Sequence, residues 1–216
     1  MSMENLVPPA PSDPNFAAFP VWLEFSGLPE LLTKARRPAW LVFRKLVELD
    51  CHHNRTRPGL LEVLPEEVGA RCGLDAETVW KCAQVLRRKK SIRAFIEENP
   101  AAPLYYEIAA PLQVPREPAD IRRDLEDRFG NVVAGAAWRY FRPAEASPMQ
   151  SEKHRKVVDL YLQFMGTSLN SLLIDELSLL SERFSYDLLE KAFQTAHRKE
   201  ERSLKWVFVH LKNSAS

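Results

Sequence analysis

The chain has 216 residues, enough for one or two domains with cores of their own. An apolar fraction of 45% and a charged fraction of 27% exclude a wholly disordered or collagen-like chain. A net charge of +1 argues against a histone-like coating role, so any nucleic-acid contact has to come from cations gathered on one face.

The first twenty residues hold five prolines and no apolar h-region, and residues 1–20 read as a disordered tail without a signal peptide. Phe16, Phe19, Trp22, Leu23 and Phe25 form an aromatic cluster at its edge. Such a cluster either folds back onto its own domain or pairs subunits. Residues 21–110 then read as one domain. Pro38 suits the first turn of a helix running to Leu49, because its missing N–H costs nothing there. Leu41, Val42, Phe43, Leu46 and Leu49 supply its apolar face, while Arg44, Lys45 and Glu48 reach solvent.

Cys51–Gly59 is a polar loop, and Leu60–Leu64 is a candidate first strand. Pro65 opens the next helix, with Glu66 and Glu67 at its positive end. Gly73 supplies the left-handed residue that ends it, and Asp75 is a good N-cap for the helix that follows. In that helix Val79, Cys82, Ala83 and Leu86 recur at spacings of three and four, the mark of a buried stripe. Trp80 belongs cleanly to neither face and is a candidate contact residue. Ile92–Ile96 and Leu104–Ile108 read as strands, and the acidic loop between them as a wing. Helix, helix, turn, helix, strand, loop, strand is the order of a winged helix-turn-helix.

Three prolines between Pro111 and Pro118 predict a linker. Ile121, Leu125 and Phe129 then form the edge of a short amphipathic helix, so residues 111–150 read as a proline-rich linker and helical connector. Residues 151–213 read as four short helices making a small helical domain, with N-caps at Thr167 or Ser168 and at Ser185. The fold class expected is mainly α with a small β wing.

No phosphate-binding glycine loop and no nucleophile elbow is present, and His197 and His210 read as surface or packing residues. No enzyme activity and no cofactor are expected. The three cysteines, Cys51, Cys72 and Cys82, are odd in number and lack paired spacing, which points to a reducing compartment. Cys51, His52 and His53 are adjacent and lack the spacing of a zinc site, so no metal is expected. With no apolar run approaching ~18 residues, a cytoplasmic chain without membrane contact is expected.

A helix-turn-helix presents the start of its second helix to base edges. Glu77, Thr78, Lys81 and Gln84 occupy those positions. Thr meets a thymine methyl, Lys reaches guanine, and Gln pairs with adenine. Arg44, Lys45, Arg88, Lys89 and Lys90 suit phosphates, which position without specifying. A winged helix also serves as a protein-contact or oligomerisation module.

Pro38–Phe43, Gly73–Val79 and Lys89–Ile92 resemble the winged-helix domain of bacterial and phage replication initiation proteins. Residues 157–213 resemble the helical domain of the DnaD-like primosome proteins, through Phe164-Met165-Gly166, the Leu-rich Leu172–Leu180, Leu188–Phe193, Arg202-Ser203 and Trp206-Val207. The family's last helix carries tyrosine, isoleucine and tryptophan at four-residue steps, tied to single-stranded DNA and partner binding. This chain has Trp206, His210 and Ser214 there, keeping only the aromatic start. The resemblance implies a self-associating scaffold of replication initiation that binds single-stranded or duplex DNA and an initiator or helicase-loading protein. It adds Trp206 as a DNA contact. The expected DNA-binding set is therefore Arg44, Lys45, Glu77, Thr78, Lys81, Gln84, Arg88, Lys89, Lys90 and Trp206. The partner set is Phe16, Phe19, Trp22, Phe25 and Trp80. A sequence-specific transcription regulator and a protein-only adaptor are the alternatives.

Overall fold

A computed structural model describes residues 19–53, 60–109, 112–129, 148–166 and 168–214. The 1–18 tail with Phe16, the side chains of Cys51, His52 and His53, the stretch 130–147 and Thr167 lie outside the described residues. The chain is mainly α-helical, with a small three-stranded sheet. It divides into two compact units, one of Met1–Ile92 with Glu98–Pro143 and one of Arg93–Glu97 with Ala144–Ser216.

The first unit opens with a 3-10 turn, Val21–Phe25, that buries Trp22 and Leu23. The Ser26 hydroxyl donates to the Leu23 carbonyl at 2.6 Å and accepts from the Leu28 amide at 3.2 Å. It thereby satisfies groups that burial would otherwise orphan. Helix α1 is Leu28–Ala35 and α2 is Ala39–His53. Pro38 lies just before α2, not within it, and its carbonyl accepts the Val42 amide at 3.0 Å. Val42, Phe43, Leu46 and Val47 are fully buried along α2. Their spacing of three and four puts them on one face, each burial contributing roughly 1.5–3 kcal/mol. Leu41, expected on that face, is 43% exposed.

Strand β1 is Leu61–Val63, helix α3 is Pro65–Cys72 and helix α4 is Ala76–Arg88. β2 (Ile92–Phe95) and β3 (Leu104–Ile108) complete the sheet, in the order β1-β3-β2. β1 runs antiparallel to β3 with Leu61 opposite Tyr106 and Val63 opposite Leu104. The Tyr106 hydroxyl donates to the buried Leu46 carbonyl at 2.8 Å, tying sheet to α2. This is the element order of a winged helix-turn-helix.

The amphipathic helix expected from Ile121, Leu125 and Phe129 forms, but the proline-rich stretch before it docks on the first unit. Helix α5, Pro118–Phe129, buries Ile121 and Leu125 and packs against the 3-10 turn. Arg116 reaches the Phe25 carbonyl at 3.0 Å and Asp124 at 2.7 Å, while its amide donates to the Ser26 carbonyl at 3.2 Å. Gly27, at φ +77°, lets Pro115 approach: a Cβ there would lie 3.1 Å from the proline ring.

The second unit holds α6 (Pro148–Phe164), α7 (Ser171–Arg183), α8 (Tyr186–Arg198) and α9 (Leu204–Ser214). Val157, Leu160, Leu177, Leu180, Leu189, Phe193, Val207 and Leu211 form its core. The N-cap of α7 is Asn170, whose side chain accepts the Leu173 amide at 2.9 Å, in place of the expected Thr167 or Ser168. The helix simply begins later than the Leu-rich pattern suggests, because Leu169 lies before it and is exposed. Ser185 does occupy the cap position of α8, without a side-chain bond. Arg93 makes a two-pronged pair with Glu182 at 2.8 and 2.9 Å, Phe95 stacks on Phe208 at 5.0 Å, and the buried Lys205 ammonium meets Glu97 at 2.9 Å.

Candidate nucleic-acid interface

The turn between α3 and α4 is closed by two glycines with different duties. Gly73 adopts φ +66° and ends α3 with its amide donating to the Gly69 carbonyl. Gly69 is buried under the turn, where a Cβ would lie 2.4 Å from the Leu74 carbonyl oxygen. The need for a hydrogen at Gly69 was not apparent from spacing; the only local signal is glycine inside a helix, where its backbone entropy is a cost.

Asp75 caps α4. Its carboxylate accepts the Thr78 amide at 2.7 Å and the Thr78 hydroxyl at 2.8 Å. These two bonds hold the carboxyl below the ordinary aspartate range, the backbone amide first and the hydroxyl second. Glu77 pairs with Lys81 at 2.6 Å, one turn on. The expected base-reading residues Glu77, Thr78 and Lys81 are thus engaged with neighbours on their own helix. Gln84 is half-buried, and its carbonyl accepts the Arg88 side chain at 3.4 Å.

The expected phosphate contacts separate into two kinds. Arg44 is tied to Glu24 at 3.3 Å and Glu48 at 3.6 Å, with its guanidinium 5.0 Å from the Phe19 ring centre. Lys45 pairs with the same Glu48. Arg88, Lys89 and Lys90 are exposed, and no ion pair with a described carboxylate holds any of them. The same holds for Lys34, Arg37 and Arg71, at the ends of α1 and α3, which sequence reasoning did not single out. Lys90 has φ +54°. Its amide donates to the Arg87 carbonyl at 3.0 Å, and the Ser91 amide to the Leu86 carbonyl at 2.9 Å. That is a Schellman-type ending, with lysine where glycine is usual.

In the second unit, Trp206 is half-buried. His210 stacks on it at 4.9 Å and 13°, and the Lys199 ammonium lies 5.5 Å from the ring centre. His197 Nδ1 donates to the Phe164 carbonyl at 2.8 Å and serves to join two helix ends.

Of the expected partner residues, Trp22 is buried in its own unit and offers no exposed ring. Phe25 packs edge-on against Phe129 at 6.1 Å, Phe19 packs edge-on against Trp40 at 6.0 Å, and Trp80 is half-buried. Burial pushes the Cys72 and Cys82 thiols up, so both are protonated near neutrality. Among the described residues no group of three His, Cys, Asp or Glu could hold a metal ion, and no helix is long and apolar enough to cross a membrane. Comparison with protein-family models, with curated proteins and with solved structures found no match to this chain.

Proposed function

We propose that the chain is a non-catalytic, DNA-binding scaffold that acts at the start of replication. The observation that carries the DNA-binding part is the run Arg88, Lys89 and Lys90, three exposed cations without a carboxylate partner among the described residues. Phosphate binding needs charges of this kind, since a cation already held by an acid gains little from exchanging one anion for another. A protein-only adaptor would more naturally have these cations scattered or neutralised. The replication role, self-association and the initiator or helicase-loading partner rest on the resemblance to DnaD-like proteins.

The test is fluorescence anisotropy with labelled single-stranded, duplex and forked DNA at two salt concentrations. Wild type binds all forms, more weakly at higher salt, and the Arg88, Lys89 and Lys90 to alanine triple variant binds at least tenfold more weakly at low salt. No binding of wild type to any form at low salt would sink the scaffold reading.

A further inference from the structure

α4 is electrically polarised against the direction that groove entry requires. Its first turns carry Asp75, Glu77 and Lys81, a net charge of minus one against a helix-dipole charge of roughly +0.5. Its C-terminal end carries Arg87, Arg88, Lys89 and Lys90, four positive charges against roughly −0.5. Compensating the dipole accounts for about one of those cations at most. The hydroxyl of Thr78 and the ammonium of Lys81, which would read base edges, are held by Asp75 and Glu77. Lys90 is held in the left-handed conformation by the amides on either side of the Schellman ending, and the next residue, Ser91, is 1% exposed. Lysine at that position has a cost that glycine would avoid.

We infer that α4 meets DNA through the phosphates at its C-terminal end and keeps its N-terminal turn off the base edges, so that binding is directed to the backbone and independent of sequence. This rests on the DNA-binding reading above. Phosphate contacts position without specifying. The ligand is therefore any duplex of sufficient length, recognised by its phosphate charge.

The experiment uses the full chain and anisotropy with three labelled duplexes of equal length and unrelated sequence, each titrated over a range of salt. Affinities for the three agree within about tenfold, where a specific site would stand out by about 10³ or more. Lys90→Gly weakens all three equally and reduces the slope of log K against log salt by about one, the value for one lost phosphate contact. Its thermal midpoint is no lower than that of wild type, because glycine suits the backbone, so weaker binding is not lost folding. Discrimination beyond tenfold, or an unchanged salt slope in Lys90→Gly, overturns the inference while DNA binding itself stands. Absence of salt-sensitive binding to every duplex overturns the DNA-binding reading instead.

Discussion

Gly69 and Gly73 are four residues apart in the same turn, yet they are glycine for different reasons. Gly73 needs freedom of φ and has nothing within 4 Å of a would-be Cβ. Gly69 has no positive φ, but a Cβ would collide with the Leu74 carbonyl, a backbone atom that moves only if the turn moves. Gly69→Ala is expected to destabilise the chain by about 1–3 kcal/mol, the range for overpacking a tight site. A urea midpoint unchanged from wild type in the full chain would show that the turn relaxes freely. The lysine at φ +54° belongs to the same scale: its conformation is visible only when the helix ending is built.

At the scale of elements, what decides the cationic surface is which helices bring acids to which bases. α2 carries Glu48 between two cations, and Glu24 comes from the preceding turn, so Arg44 and Lys45 are held. Arg88, Lys89 and Lys90, at the end of α4, have no such neighbour among the described residues. In the second unit Glu182 of α7 shows the same effect through its titration. Burial alone would raise its pKa, but the Arg93 guanidinium and the Ser178 hydroxyl bring it below the ordinary glutamate range. A carboxyl with a depressed folded pKa contributes stability that is present above its unfolded pKa and lost as pH falls through the folded value. Stability of the chain is therefore expected to fall on the acid side of about pH 4.3, the unfolded glutamate value. Glu182→Gln should flatten that limb of a ΔG-against-pH curve from chemical denaturation. Because the carboxylate is 39% exposed, the contribution is a discounted one. An identical acid limb in the variant would show that Arg93 gives Glu182 no net preference for its charged form.

At the scale of the molecule, the first unit continues past the wing. The proline-rich stretch that resembles a linker instead carries α5 back to the 3-10 turn, where Ile121 and Leu125 are 0% and 1% exposed. Leu125→Ala in the full chain is expected to cost about 2–5 kcal/mol, as for other buried leucines. A change near zero in the unfolding midpoint would mean that α5 is a connector after all. The second unit recruits Arg93–Glu97 as well as the C-terminal helices, so the division of the chain into units does not follow a single cut in the sequence.

The helices of this protein were legible in its sequence because their signals are local. The three-and-four spacing of Val79, Cys82, Ala83 and Leu86 names the buried stripe of α4, Gly73 names the end of α3, and Asp75 names the cap; all of these interact within one or two turns. The mainly α class with a small sheet follows from the same short-range patterns. The candidate interface was legible only as a run of cations. Which of them stay free depends on acids that arrive from elsewhere in the chain, as Glu24 does for Arg44, and pairing at such separations leaves no periodic mark in the sequence. The helix of 118–129 was legible from Ile121, Leu125 and Phe129, but its docking was hidden for the same reason: it is settled by Arg116 reaching the Phe25 carbonyl 91 residues earlier in the chain, with Pro115 close against Gly27. Local rules determined the elements and the ion pairs within a helix, such as Lys81 with Glu77; the tertiary structure decided pairs such as Arg44 with Glu24, because Coulomb energy depends on distance in space.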